Sequence, residues 1–280
     1  GLYVTVAAGM SNVVLDALFV AVFQWGLIGA VCATVISQMV GGVFPLVYFA
    51  RKNDSLLRLT RARIEWKILL RVCTNGSSEL MTNLSASLVN VLYNFQLMAI
   101  AGENGVAAYG VIMYVNFIFT AVYFGYAVGC APIISYHFGA DNHAELKNLF
   151  RKSLIITAVL GLAMMISSQI LASPLAKIFV GYDAELFELT CHGFRIYALS
   201  FLLCGFNIFS SAFFTALNNG AVSAGIAFLR TLVFQLAAIL ILPGLLGIDG
   251  VWLAIVAAEI LALTVSVYFF ISRKKQYHYA

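Results

Sequence analysis

Residues 105–137 read GVAAYGVIMYVNFIFTAVYFGYAVGCAPIISYH and contain no Asp, Glu, Lys or Arg. A helix needs about 20 consecutive apolar residues to cross the hydrocarbon core of a bilayer, and this stretch is longer than that. Comparable uncharged stretches occur elsewhere in the chain, at residues 27–50, 80–102, 153–176 and 196–229. The sequence therefore predicts several membrane-spanning helices.

The composition agrees with a membrane protein. Hydrophobic residues make up 62% of the 280 residues and charged residues only 10%, whereas about 25% are charged in soluble domains. The net charge of +4 does not indicate a nucleic acid partner, because its meaning depends on which side of the membrane each charge lies. The five cysteines show no CxxC or Cys/His spacing, so we expect neither a disulfide framework nor a metal site.

Charges and Gly/Asn/Pro clusters divide the chain into eight predicted spans. None shows the alternation of polar and apolar residues that transmembrane strands require, so the predicted class is an all-α polytopic membrane protein. Because Gly1 already lies in an apolar stretch, we expect the chain to be part of a longer protein. The predicted spans are residues 1–20, 27–49, 76–101, 107–135, 153–176, 190–216, 222–243 and 249–271.

The basic residues predict the orientation of these spans. Thirteen of the 16 Lys and Arg residues lie in the second connection, in the fourth connection or at the C-terminal end. Short loops rich in Lys and Arg stay on the cytoplasmic side. We therefore expect these connections and the C-terminus to be cytoplasmic.

The longest polar connection, residues 51–72, predicts a linker between two bundles. Its second half alternates apolar residues with Arg63, Lys67 and Arg71. This pattern is typical of an amphipathic helix on the inner leaflet, although a plain basic linker fits it equally well. The predicted organisation is residues 1–50 as the last two helices of a first lobe, 51–72 as the linker, and 73–280 as a six-helix second lobe.

An internal repeat supports two lobes. The second and eighth spans open with GLIG at 26–29 and GIDG at 247–250, and Ala33 matches Ala254 at the same offset. Transporters are often built from such repeats. If each lobe ends in one of these spans and the second lobe has six, the first should also have six.

Polar residues fall on one face of the third span. At 100° per residue they lie within about 80° of arc. Because unpartnered polar groups are costly in hydrocarbon, we expect this stripe to face a cavity, or else to bond neighbouring helices. The stripe consists of Glu79, Asn83, Ser87, Asn90 and Asn94.

Glu79 is the most informative member of the stripe. A carboxyl group withdrawn from water can exchange a proton or hold a cation. The alternative is an interfacial acid paired with Arg71 or Lys67. No catalytic motif such as GxSxG, HExxH or a P-loop is present, so we do not expect an enzyme.

The fourth span carries a second stripe, with tyrosine and methionine side chains that suit flat organic cations. Ordinary helix packing is the alternative reading. The residues are Tyr109, Met113, Asn116, Thr120 and Tyr123.

Four further polar residues in predicted spans are candidates. Arg195 either reaches the outer interface or pairs with an acid across the cavity. Asn207 projects about 120° away from Arg195 on an ideal helix, so we do not expect the two to share a narrow site. Asp16 and Glu259 are candidate buried acids, more typical of structural than of coupling roles.

Seven short segments together resemble the multidrug and toxic compound extrusion (MATE) family, in particular its DinF/MepA-like bacterial branch. They occur in order across nearly the whole chain. The segments are NVVLD at 12–16, GLIGA at 26–30, NGSSE at 75–79, VAAYGV at 106–111, GCAPIIS at 129–135, FGA at 138–140 and FFTALN at 213–218.

The resemblance implies twelve helices in two lobes, of which eight are present here, around an outward-opening cavity. It implies export of organic cations or drugs from a bacterium across its plasma (inner) membrane, driven by protons or sodium without a cofactor or obligate protein partner. The family's proton-coupling acid lies in helix 1, which this chain lacks. The acid of its sodium-coupled branch aligns near Ala86 or Ser87, so Glu79 does not inherit that role.

A lipid-linked oligosaccharide flippase of the same superfamily is the alternative function. Its cavity should be strongly cationic, because the substrate carries a pyrophosphate. Arg195 and Arg230 are the only basic residues of the spans that could supply that charge. We therefore favour an exporter of cations.

Overall fold

The computed structural model describes residues 2–51 and 65–279. These residues are helical almost throughout and include no β-strand. The helices are α1 (Leu2–Asp16), α2 (Gly26–Ala50), α3 (Trp66–Asn75), α4 (Ser77–Gly139), α5 (His143–Val180), α6 (Ala184–Tyr197), α7 (Phe201–Ala216), α8 (Gly220–Phe228), α9 (Gln235–Leu246) and α10 (Ile248–Tyr277).

Seven helical stretches of the described chain are long and apolar enough to cross a membrane. Three of them continue through irregular turns: α1 runs into a π-helical segment, Ala17–Val22, α6 joins α7 through Ala198–Ser200, and α8 joins α9 through a second π-helical segment, Leu229–Phe234. The all-α polytopic class is confirmed.

The longest helix, α4, contains two of the predicted spans. It is interrupted at Gly102, whose φ of 62° and ψ of −149° lie outside the helical region. Only glycine adopts such angles readily, because it has no Cβ. Counting 77–101 and 103–139 separately gives the eight predicted spans.

Several helices begin earlier than predicted, because side-chain caps rather than charges set their first residues. Asn142 accepts a hydrogen bond from the Glu145 amide at 3.1 Å, so α5 begins ten residues before the predicted boundary at 153. Asp183 caps α6 in the same way through the Leu186 amide, also at 3.1 Å. Such caps satisfy the free N–H groups of a first helical turn, and the charges that follow remain inside the helices.

The chain divides into two compact units, residues 1–65 and 66–280. The first contains the packed pair α1 and α2. Part of the predicted linker, including Arg63, lies outside the described residues. The described remainder enters α3, which leaves the apolar side chains of Trp66 and Ile68 exposed and packs on α8 of its own unit.

The second unit buries two apolar clusters. One lies around Tyr93, Tyr109, Tyr197 and Trp252 and lines the site described below. The other is mainly aromatic and ties α5, α7 and α10 together near the C-terminal end, through contacts among Phe150, Phe213, Phe214, Phe270 and Tyr279. Aromatic pairs at such distances add stability beyond burial alone.

Candidate functional site

A cavity of about 430 Å³ opens inside the second unit. It lies among both segments of α4, α6, α7, α10 and the π-helical segment between α8 and α9. This volume lies in the range of small-molecule sites. Its lining residues are Ala86, Ser87, Val89, Asn90, Tyr93, Tyr109, Met113, Asn116, Phe117, Thr120, Tyr197, Ser200, Cys204, Arg230, Gln235, Ile255 and Glu259.

The two predicted stripes contribute part of this lining. Ser87 and Asn90 reach the cavity from the first, and Tyr109, Met113 and Asn116 from the second. Asn94 lies in an adjoining recess that also includes Tyr109 and Met113. With Thr120, which also lines the cavity, the structure thus brings two residues of the first stripe and four of the five residues of the second to one cavity.

The hydrogen bonds of the polar stripe stay within α4. The Asn83 amide donates to the Glu79 carbonyl at 2.9 Å, and the Asn94 amide donates to the Asn90 carbonyl at 2.8 Å. Asn83 is exposed and lines no described cavity. These bonds do not connect neighbouring helices, so Asn90 stays available at the cavity wall.

A stacked tyrosine pair forms one wall. The rings of Tyr93 and Tyr109 lie 5.1 Å apart and within 5° of parallel. Tyr93 is 2% exposed, and its hydroxyl makes no hydrogen bond within the described part of the chain. Buried polar groups are normally hydrogen-bonded, so the Tyr93 hydroxyl is an exception within the described cavity wall.

Sequence reasoning missed Tyr93. It lies on the packing face of α4, about 80° of helical rotation from Asn83, and so falls outside the polar stripe. The helical spacing of buried Ser85, Val89 and Tyr93 was the available signal, but it was not distinguishable from ordinary packing.

An ion pair also lines the cavity. Arg230 donates from Nε to Glu259 Oε1 at 2.9 Å and from Nη2 to the same oxygen at 2.7 Å. The Nε group also lies 3.1 Å from Oε2. The side chain of Arg230 is 13% exposed and that of Glu259 only 1%, so the arginine is the more accessible member of the pair.

Asn207 forms a hydrogen bond with this ion pair. Its amide donates to Glu259 Oε2 at 2.7 Å, and the Ser266 hydroxyl donates to Asn207 Oδ1 at 2.9 Å. Asn207 is fully buried. Asn207 is not among the lining residues of the larger cavity, and it contacts that cavity's lining through Glu259.

A second, smaller crevice of about 100 Å³ borders the same network. Its lining includes Arg230, Asn207 and Glu79. Arg230 is thus shared by the cavity and the crevice. The predicted acid Glu79 lies at the crevice and not at the cavity.

Three predicted site residues lie elsewhere. Tyr123 is buried between α4 and α7, where its hydroxyl donates to the Phe201 carbonyl at 2.8 Å. Arg195 is exposed and does not reach the cavity, because it projects from the other side of α6 from the cavity residue Tyr197. Asp16 belongs to the first unit, where one of its carboxylate oxygens is buried without a hydrogen bond among the described residues.

Comparison with known proteins places the chain in the MatE family. Residues 80–241, more than half of the 280-residue chain, match the MatE family model. The chain is 24% identical over 271 residues to the multidrug export protein MepA of Staphylococcus saprophyticus. It is 21% identical over 266 residues to MepA of Staphylococcus aureus strain MSSA476.

The alignments cover a larger fraction of this chain than of its relatives. The alignments include 96% and 94% of this chain but 59% and 58% of the relatives, so the chain spans less than two thirds of their length. A solved structure described as the outward-facing conformation of a multidrug resistance MATE family transporter of the MOP superfamily matches with a TM-score of 0.90 and 24% identity. That match covers 98% of this chain and 62% of the transporter, and it supports the same fold.

Proposed function

Because the chain belongs to the MatE family, we propose that the complete protein is a secondary active exporter of organic cations and drugs. The chain itself is a multi-pass membrane protein. The two similar proteins from staphylococci are both multidrug export proteins, which supports this proposal.

The observation that carries the proposal is the composition of the cavity. It combines stacked aromatic rings, Tyr93 and Tyr109, with one carboxylate, Glu259. Aromatic rings attract cations, and the Glu259 carboxylate can accept a positive partner in place of Arg230, with which it is paired in this structure. Met113 adds an adaptable, polarizable contact. These groups suit flat, positively charged organic molecules.

The lipid-linked oligosaccharide flippase is disfavoured by the same cavity. Among the described residues that line it, Arg230 is the only basic one, and Glu259 neutralises its charge. A pyrophosphate would meet no excess positive charge there. Arg195, the other candidate, lies outside the cavity.

Export proceeds in this account by alternating access, in which ion binding changes the populations of inward-open and outward-open states. We propose a proton or sodium gradient as the energy source. The basic loops and the C-terminus are assigned to the cytoplasm on the basis of their Lys and Arg content.

The test is ethidium accumulation in a bacterium that lacks its own drug pumps, with the complete gene expressed. We expect energy-dependent loss of the dye, abolished when the proton and sodium gradients are both collapsed and reduced by Glu259→Gln. Glu185→Gln serves as the matched control, because Glu185 is an exposed acid outside the cavity. Unchanged accumulation in cells that contain correctly inserted protein would contradict the proposal.

A further inference from the structure

The carboxylate of Glu259 is closed to the cavity in this structure. Glu259 is a lining residue, yet its side chain is only 1% exposed, and both of its carboxylate oxygens accept hydrogen bonds from Arg230. A cation that enters the cavity meets Arg230 first. Direct contact between that cation and Glu259 therefore requires Arg230 to move.

We propose that Arg230 is a built-in competitor of the substrate, which occupies Glu259 until an organic cation replaces it. This inference rests on the proposed function, because it takes the substrate to be a cation. The substrate's positive group would take over the contact with Glu259, and the guanidinium would move aside. The pair of charges at Glu259 stays neutral throughout, so no uncompensated carboxylate is left buried.

The structure offers Arg230 a second position. The crevice that it borders is also lined by Glu79, so a carboxylate stands on the side away from the cavity. An Arg230 side chain that moves from Glu259 towards the crevice exchanges the Glu259 carboxylate for that of Glu79. Its displacement then couples substrate binding to the end of α4 that contains Glu79.

The backbone under Arg230 is suited to such a movement. Arg230 belongs to the π-helical segment Leu229–Phe234. A π-helical turn holds an extra residue, weakens the regular hydrogen-bond pattern and occurs frequently at functional sites. The partner is held more firmly, because the Asn207 amide donates to both Glu259 Oε2 and the Glu259 carbonyl. The arginine is thus the mobile member of the pair.

The cavity presents a further contact on the side of the entering ligand. The Tyr93 hydroxyl is buried in the wall without a hydrogen bond among the described residues. The ring that carries this hydroxyl is stacked on the Tyr109 ring. A cation that displaces Arg230 would therefore bind the Glu259 carboxylate in a cavity whose wall also includes Tyr93 and Tyr109.

The experiment measures ethidium affinity by fluorescence anisotropy, with the complete protein purified in detergent. Arg230→Met removes the competitor, and we expect ethidium to bind about ten-fold more tightly, which is the change that one charge-assisted contact provides. Glu259→Gln should weaken binding by a similar factor. In the double variant the gain from Arg230→Met should disappear, because the acid for which the two cations compete is absent.

Two further variants keep the test decisive. Arg230→Lys retains the positive charge but loses the planar two-nitrogen contact, so it should tighten binding by a smaller factor, about three-fold, even if Arg230→Met does not fold. Arg195→Met is the matched control, because Arg195 is an exposed arginine outside the cavity, and it should leave the affinity unchanged.

The outcomes separate this inference from the proposed function. If the wild-type protein binds and exports ethidium but both Arg230 variants bind it equally or more weakly, Arg230 is a structural partner of Glu259 and the inference is overturned. The same holds if the double variant keeps the gain. If the wild type neither binds nor exports ethidium, the proposed function fails, and the inference fails with it.

Discussion

Asn207 donates its side-chain amide to Glu259 twice, to the carboxylate oxygen Oε2 at 2.7 Å and to the backbone carbonyl at 3.0 Å. The two residues belong to α7 and α10, so these bonds fasten one helix to the other at the depth of the ion pair. They also hold Oε2, which is one of the two carboxylate oxygens that Arg230 contacts. The position of the only carboxylate among the described cavity residues therefore depends on a neutral side chain one layer behind it.

Replacing Asn207 by Ala should lower the stability of the protein. The variant leaves the Glu259 carboxylate without one donor and the Ser266 hydroxyl without its acceptor. Loss of a hydrogen bond to a charged group costs about 1.5–3 kcal/mol. Thermal unfolding in detergent would measure this as a lower Tm.

The control for this variant is Asn83→Ala. Asn83 is exposed and bonds only within its own helix, so its removal should leave the Tm nearly unchanged. Equal decreases in Tm for the two substitutions would show that the hydrogen bonds between α7 and α10 do not contribute measurably to stability.

We expect the rings of the tyrosine pair to contribute more to ethidium affinity than its hydroxyl groups do. Tyr93→Ala removes one stacked face, and a cation–π contact in a desolvated site is worth about 2 kcal/mol. We expect affinity to fall by more than ten-fold, whereas Tyr93→Phe should lower it by about three-fold at most. Isothermal titration would compare the two.

Tyr268 supplies the matched control for these variants. It is 64% exposed on α10 and lies outside the cavity lining, so Tyr268→Ala should bind ethidium like the wild type. Equal affinities of Tyr93→Ala and Tyr93→Phe would argue against an aromatic wall as the binding surface.

The contact between α6 and α10 should tolerate no side chain at Gly193. A Cβ atom there would lie 2.6 Å from Trp252 Cε2, and the Trp252 ring is fully buried. Overpacking of this kind costs about 1–3 kcal/mol, so Gly193→Ala should lower the Tm. Gly225→Ala is the comparison, because nothing lies within 4 Å of a Cβ at Gly225. An unaltered Tm for Gly193→Ala would mean that the two helices can separate without cost.

Glu79→Gln should reduce export without abolishing ethidium binding. We propose that Arg230 pairs with Glu79 after the substrate has bound. The loss of the Glu79 carboxylate therefore raises the free energy of the state in which Arg230 is displaced, and it leaves the cavity unchanged. We expect export rates to fall about ten-fold, with the affinity changed by no more than three-fold. Full retention of export by Glu79→Gln would remove Glu79 from this role.

Sequence periodicity was sufficient for the spans and for part of the cavity. Uncharged stretches and glycines gave all eight spans, and the 100° spacing brought Ser87, Asn90, Tyr109 and Met113 to one side of their helices. Both signals are local, because they depend only on the geometry of a single helix.

The ion pair was not predictable in the same way. Arg230 and Glu259 lie on different helices, and no local pattern says that they meet. Their contact depends on how α10 packs against the π-helical segment, which is set by tertiary packing. For the same reason the sequence did not distinguish Tyr123, which packs between helices, from Tyr109, which faces the cavity.

The measurement that tests the central claim most directly is transport of ethidium by the complete protein in proteoliposomes. Proton and sodium gradients are imposed separately, and Glu259→Gln is reconstituted alongside the wild type. We expect movement of the dye against its concentration gradient, driven by one of the two ions and reduced in the variant. Dye distribution that follows its own gradient under every condition would contradict a secondary active exporter.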